Sequence, residues 1–376
     1  MDAVISATPE VSIIVPARNE EVCLGDCLHS LVAQSGVTFE IIVVDDQSTD
    51  RTRAIAESFA GVQVLSPGPL PEGWTGKNNA VAAGARVARG EWLLFTDADT
   101  VHLPRSLAGA VREAKECRAE LLSYSPEQIA VTFWEIATLP VVFAALARQY
   151  PPVLVSDPKS PLVAANGQYI LVRREAYDAV GGHAAVATDL LEDVALARAL
   201  KSSGRKIQFR YAGTSVRTRM YRNFHQLREG WTKNLALLFP RPGWLAAKVL
   251  LGWSIAWLFF CLPWIARLRA GLTTGAVHGV FHWWRETGWL NGLAVIGPFS
   301  LMGRLRKANF TWDMEILGAL FGYPVFAYLL LRSKMAHERG NVSWKGRNYA
   351  GSAPQLAAID RDAGGILNQA MLKSHK

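Results

Sequence analysis

Short apolar runs, each ending in a polar loop that carries acids, set the rhythm of the first half of the chain. Val11 to Val15 is apolar save for Ser12 and runs into Pro16-Ala17-Arg18-Asn19-Glu20-Glu21. Phe39 to Val44 ends in Asp45-Asp46-Gln47-Ser48-Thr49-Asp50, and Trp92 to Phe95 stops at Thr96-Asp97-Ala98-Asp99. Val62 to Leu65, Ala164 to Arg173 and Arg205 to Tyr211 read as further strands or turns into strands. Between the runs lie segments with helical spacing: Glu21 to Gln34, Thr49 to Phe59, Asn79 to Arg89, Arg174 to Val180 and Thr188 to about Ser203. Ser48 or Thr49 is the expected cap of the second of these helices. Strand–helix alternation with polar loops after the strands predicts an α/β fold with a doubly wound, mostly parallel sheet. Ligands of such sheets bind outside the carboxyl ends of the strands, which is where Asp45, Asp46, Asp97 and Asp99 fall.

The second half has a different pattern. Val249 to Ala266 carries no charge, and at ~1.5 Å per residue it covers ~27 Å, close to a bilayer's hydrocarbon thickness. Ile316 to Leu331 is slightly shorter and contains Pro324; Trp289 to Gly303, with Asn291 and Pro298, is a weaker third candidate. Gln128 to Ala147 is also apolar, but a span there would strand the later polar motifs on the other face, so it reads as an interfacial or core helix. The division expected is 1–240 for the α/β domain, 241–335 for the membrane region and 336–376 for a tail.

Composition sharpens this. Half of the residues are hydrophobic, mean hydropathy is +0.12, and ten of the thirteen tryptophans lie at or after Trp231, consistent with a soluble half and a membrane half. The net charge of +8 comes without any nucleic-acid-binding motif, so anionic lipid and nucleotide phosphates are the better partners. Positive residues flank every apolar segment, and the positive-inside rule leaves the topology open. Cys23, Cys27, Cys117 and Cys261 form no disulfide framework; Cys23, Cys27 and His29 lack a fourth metal ligand and read as helix packing. The first twenty residues show no charged n-region before an apolar h-region, so no signal peptide is expected.

Three stretches carry candidate chemistry. In an extended D-x-D, Asp97 and Asp99 point to one side, as hard oxygen ligands for Mg²⁺ or Mn²⁺; a solvated acidic turn reads the same way in isolation. Gly73-Trp74-Thr75-Gly76-Lys77-Asn78-Asn79-Ala80 opens a helix with a lysine, a poor choice for the macrodipole unless an anion such as a diphosphate sits there. Thr188-Asp189-Leu190-Leu191-Glu192-Asp193 opens another helix with more acid than capping needs, and a carboxylate at that end should stay ionised, as a base must.

Taken in order, V-S-I-I-V-P-A-R-N-E-E, I-I-V-V-D-D-Q-S-T-D, G-W-T-G-K-N-N-A, F-T-D-A-D and L-L-E-D resemble the motifs of family 2 glycosyltransferases with the GT-A fold. The likeness covers residues 11 to about 235. The second half, with W-K-G-R-N-Y at 344–349, is similar to membrane-bound members acting on lipids, such as hopanoid-associated, carotenoid-pathway and ceramide glucosyltransferases. The resemblance implies that Pro16, Arg18, Glu20, Asp46 and Asp97 line a nucleotide-sugar pocket, and that Lys77 contacts the diphosphate or sugar. It implies a metal on Asp97 and Asp99, Asp193 as catalytic base, and Glu192, Gln226, Arg228 and Trp231 on the acceptor side. The family's Q-x-x-R-W motif departs here, with Arg228 one place early and Trp231 one place late, which speaks against a processive polysaccharide synthase.

The function so implied is inverting transfer of a hexose from a nucleotide sugar, UDP-linked by expectation, to a hydroxyl of a lipid acceptor. The enzyme would be a multi-pass protein of the cytoplasmic (inner) membrane with its catalytic domain in the cytosol. The rivals are a non-catalytic sugar-nucleotide binder, which has no need of Asp193, and a nucleotidyltransferase, which would release diphosphate.

Overall fold

The computed structural model describes residues 8–274, 288–306 and 310–349. They divide into two compact units: one within 8–129, 150–220 and 345–349, the other within 130–149 and 221–344.

The first unit begins with β1 (Val11–Ala17), α1 (Leu24–Val32), β2 (Phe39–Asp45), α2 (Thr52–Glu57), β3 (Val62–Leu65), α3 (Gly76–Val87) and β4 (Trp92–Phe95). It continues through β5 (Thr100–His102), α4 (Ser106–Cys117), β6 (Leu121–Ser125) and β7 (Glu127–Gln128). The main sheet has the order β3-β2-β1-β4-β8-β6-β9, where β8 is Ile170–Arg173 and β9 is Ile207–Tyr211. β8 is antiparallel to β4 and β6. The other pairings, β1 with β2 and β4, β2 with β3, and β6 with β9, are parallel. The sheet is therefore mostly parallel, as the alternation predicts. Its central strands are apolar on both faces because both are covered: Ile13 and Val15 pack on one side with Leu24, Leu28 and Leu107, Ile14 and Ile42 on the other with Val81 and Leu196.

β6 is a strand that the hydrophobic pattern does not announce, since Ser123 and Ser125 interrupt it; both are buried, and Ser123 Oγ accepts the Asn166 amide at 2.8 Å. Neither Ser48 nor Thr49 caps α2. Asp50 does that work, its Oδ1 accepting the Thr52 amide at 3.0 Å, while Ser48 Oγ accepts the Asn19 amide. Cys27 is buried in the core beneath β1, and His29 lies edge-on to Phe59, so these residues pack rather than ligate.

Ser12, the polar break in β1, is fully buried; its Oγ donates to Glu40 at 2.6 Å and accepts the amides of Arg89 and Gly90 at 3.0 and 2.8 Å. That bond draws the turn before β4 onto the β1 backbone, where a Cβ on Gly90 would meet Ser12 N at 2.5 Å. Backbone cannot yield as a flexible side chain does, so Gly90→Ala is expected to destabilise by ~1–3 kcal/mol. The control is Gly109→Ala in α4, where an added Cβ meets nothing within 4 Å; it should hold or raise the thermal midpoint. Equal midpoints for the two variants would refute the packing argument.

A second sheet, β5-β10-β7, includes β10 (Val216–Thr218), and its strand β5 directly follows the D-x-D loop in sequence. Its Thr218 hydroxyl donates to the Asp99 carbonyl at 3.2 Å and receives the Gln168 amide at 3.2 Å. Thr96 donates to the Gln168 carbonyl at 2.8 Å and lies 3.0 Å from His102 Nε2. The carboxylate-bearing loop is thus tied down on both sides.

The second unit is helical. Its α5 (Phe133–Gln149) opens with a capping box: Glu135 accepts the Thr132 amide at 2.7 Å, and the Glu135 amide points back to Thr132 Oγ1. This explains an acid inside an apolar run. Ala137 to Val142 are buried, so the segment is a core helix. A π-helical turn, Gly318–Gly322, crosses it closely enough that a Cβ on Gly322 would meet Ala137 O at 2.1 Å. Among the described residues two helices are long and apolar enough to cross a membrane, Pro242–Leu262 and Trp312–Glu338. The first leaves Trp244, Leu251, Ile255 and Leu258 exposed. The third expected span lies within Gly288–Leu305, a helix with Pro298 inside it.

Candidate active site

The site is built at the carboxyl ends of β1, β2 and β4. Lys77 stands at the second position of α3, whose start is set by Thr75: its Oγ1 accepts the Asn78 amide at 3.1 Å. The helix therefore begins three residues earlier than its apolar spacing indicates. Lys77 Nζ reaches Asp97 Oδ1 at 2.7 Å and Glu192 Oε1 at 2.8 Å. The anions that answer the lysine are thus two carboxylates of the chain. Burial alone would lower its pKa, but Asp97 and Glu192 outweigh it and hold Lys77 protonated.

Asn78 donates to the carbonyls of Val186, Ala187 and Asp189 at 2.8, 2.9 and 3.1 Å. It thereby fixes the loop that leads into α8 (Glu192–Ser202). Asp193, in the first turn of α8, accepts the Gly167 amide on Oδ2 at 2.9 Å and the Val194 amide on Oδ1 at 2.8 Å. Gly167 sits close against the site: a Cβ there would lie 3.1 Å from Lys77 Nζ and 3.5 Å from Asp193 Oδ2. Pro16, Lys77, Asp97, Gly167, Glu192 and Asp193 line one pocket, with His183 at its wall.

The electrostatics differ from expectation at Asp193. The helix start and two amides favour its carboxylate, yet burial first and the Glu192 charge second push its pKa up to about 6. Burial, Asp97 and Glu20 push Asp99 up to about 7. His183, hydrogen-bonded to the Tyr177 hydroxyl at 3.0 Å, is driven down to about 4 by burial and stays neutral.

On the β1 and β2 side, Arg18 Nη1 donates to the Asp46 carbonyl at 2.7 Å. Asp46 is buried and accepts Arg347 with both oxygens, at 2.5 and 3.0 Å. Lys345 is ion-paired to Glu20. Sequence reasoning found the W-K-G-R-N-Y segment but gave it no place in the site; it also passed over Asn78, Gly167 and His183. The glycine after Asn166 and the asparagine after Lys77 were the available signals.

Gln226, Arg228 and Trp231 lie on α9 (Phe224–Leu238) of the second unit, where their visible work is local. Gln226 Oε1 accepts the Arg222 amide at 2.9 Å while its own amide donates to Asn223, the helix cap. Trp231 is buried against Tyr221 and Phe143.

Carboxylates gather past the parallel strands with a lysine and a basic turn among them, and α8 adds the buried acid Asp193. Enzymes that draw on nucleotide sugars are a class built this way. Residues 12–181 match the family described as Glycosyl transferase family 2, so this part of the chain is similar to glycosyltransferases of that family. It is 29% identical over 361 residues to the 4,4'-diaponeurosporenoate glycosyltransferase of Staphylococcus aureus strain MRSA252, covering 92% of this chain and 89% of the relative. Among solved structures, a mannosyltransferase from Pyrobaculum calidifontis in complex with GDP-Man and Mn²⁺ aligns over 88% of this chain and 87% of its own, at 16% identity and TM-score 0.47. TarS of S. aureus with UDP-GlcNAc aligns over 88% and 92%, at 15% identity and TM-score 0.41.

Proposed function

We propose that this enzyme transfers a hexose from a UDP-linked donor to a hydroxyl of a lipid acceptor, with inversion, at the cytosolic face of the membrane. The observation that carries the reading is Asp193. Its two oxygens are each fixed by one backbone amide, leaving lone pairs free, and it lines the pocket that holds Lys77 and Asp97. A carboxylate so held can take the acceptor's proton as the acceptor oxygen attacks the anomeric carbon from the face opposite the nucleotide. Glu192 keeps Lys77 in register and adds the charge that raises the basicity of Asp193. Lys77, fixed as a cation, faces the negative charge that builds on the leaving diphosphate.

A divalent cation belongs to this reading. Among the described residues no group of three or more His, Cys, Asp or Glu side chains could hold a metal. Asp97 and Asp99 offer hard oxygens in a pocket whose carboxylates crowd one another, and Mg²⁺ or Mn²⁺ completes a two-carboxylate shell with water and phosphate oxygens. The residues fit such an ion, which would act as a Lewis acid toward the diphosphate when bound.

That the acceptor is a lipid is supported by the relative named for 4,4'-diaponeurosporenoate, a carotenoid-type carboxylate, and by the two apolar helices. Membranes containing the protein should move radiolabel from a sugar nucleotide into the organic phase of added lipid extract and release nucleoside diphosphate. Release of inorganic diphosphate instead would mean nucleotidyl transfer. The protein should leave membranes with detergent and stay with them in high salt; release by salt alone would overturn the membrane-spanning part of the proposal.

A further inference from the structure

The turn Lys345-Gly346, flanked by Trp344 and Arg347, ends a long excursion through the second unit and returns the chain to the first. It is a shaped element. Lys345 and Gly346 are the two residues between the short strands Val342–Trp344 and Arg347–Tyr349, and both have positive φ, +47° and +75°, as the type I′ turn of a two-residue hairpin requires. The turn presents its cations to the acids past β1 and β2: Lys345 Nζ pairs with Glu20 and reaches the Arg18 carbonyl at 3.3 Å, while Arg347 grips Asp46. The guanidinium lies over Gly76, where an added Cβ would collide with Arg347 Nη1 and lie 2.6 Å from Asp46 Oδ2. The Arg347 and Asp46 side chains are only 17% and 8% exposed, so little solvent screens the pair.

We propose that this turn is part of the donor-nucleotide site, with Lys345 and Arg347 as positioning residues. The inference rests on the glycosyltransferase reading above and deepens it. A sugar nucleotide brings a dianionic diphosphate to a pocket lined by Asp97, Glu192 and Asp193, with Glu20, Asp46 and Asp99 past the neighbouring strand ends. Among the described residues, the other cations placed at the site are Arg18 and Lys77, and Lys77 is committed to Asp97 and Glu192. Lys345 and Arg347 neutralise Glu20 and Asp46, so the donor meets far less repulsion. Arg347 also orients Asp46. A carboxylate has about four acceptor positions and a bidentate arginine takes two of them, leaving the others for an N–H of the donor's base.

The test measures donor and acceptor kinetics, with direct titration of UDP and GDP in Mg²⁺, on the full chain in detergent. The variants are Lys345→Met, Arg347→Met and Arg347→Lys. Loss of Arg347 leaves a buried carboxylate unpaired and threatens folding; Arg347→Lys, which keeps the charge, and Lys345→Met, at the less buried pair, avoid that. Lys345→Met should raise the donor KM about ten- to a hundredfold, the range for losing a charge-assisted contact. Its kcat at saturating donor should stay within about threefold, and its acceptor KM should not move. Arg347→Lys should fall between wild type and Arg347→Met in donor KM. An unchanged donor KM would make the turn mere packing, and a lowered one would make it a plug that the donor displaces; either overturns the proposal. Wild-type protein that binds neither nucleotide and transfers no sugar would overturn the glycosyltransferase reading and this inference together. Normal wild-type transfer with unaffected variants would overturn this inference alone.

Discussion

Asp193→Asn is expected to lower sugar transfer to a hydroxyl acceptor by roughly two to four orders of magnitude while leaving donor binding nearly intact. The asparagine keeps the volume and can still accept the Gly167 and Val194 amides, so the first turn of α8 should hold its shape. It cannot take a proton. Asp189→Asn is the control, since Asp189 lies just outside the helix and its visible tie to the site is a backbone carbonyl held by Asn78. If these acids served only the helix dipole, each loss would be worth ~0.3–1 kcal/mol of stability and turnover per folded molecule would be normal. The pH profile gives an independent reading. Because burial and Glu192 raise Asp193 to about 6, wild-type turnover should fall as pH drops through that value, as the base becomes protonated. The variant's residual activity should lack that limb. An acceptor that is itself a carboxylate is already ionised and would escape most of the loss, so comparing acceptors identifies the attacking group. A fully active Asp193→Asn enzyme on a hydroxyl acceptor would end the base assignment.

Removal of divalent cations is the second large effect. Excess chelator should abolish transfer, with recovery on adding Mg²⁺ or Mn²⁺. Asp97→Asn should cut turnover on the order of 10²–10³-fold, as expected for losing several kcal/mol of leaving-group stabilisation. Asp97 is also one of the two partners of Lys77. Asp99→Asn separates the roles, because no ion pair of Asp99 with the lysine occurs among the described residues. Loss of activity in both variants supports a metal site, whereas loss only at Asp97 assigns the effect to Lys77. Full activity in chelator would sink the cation outright.

Much of the fold was legible because a two-sided sheet writes itself as apolar runs: β1, β2 and β4 are where those runs lie, with their acids just past the ends. β6 escaped because two buried serines break its apolar run, and the hydrogen bond that satisfies Ser123 leaves no mark on a hydrophobic pattern. β5, β7 and β10 are too short for any period to show. At the site, the acids were visible as excess charge at strand and helix ends, but their pairing was not. Nothing local in Gly76-Lys77 tells that the lysine answers Asp97 and Glu192, or that the arginine at residue 347 lies over its glycine neighbour. Such facts belong to contacts far apart in the chain.

The return of residues 345–349 to the first unit sets an order of assembly on the ribosome. The sheet and the acids of α8 are all made before Met220, and the helices of the second unit other than α5 follow before Lys345 appears. At ~5–20 residues per second, that interval is roughly 6 to 25 s. The α/β core can therefore close while its donor pocket still lacks a wall, and that wall arrives only after both apolar helices have left the exit tunnel. A chain cut short within those helices would carry every acid of the site and none of the turn that balances them.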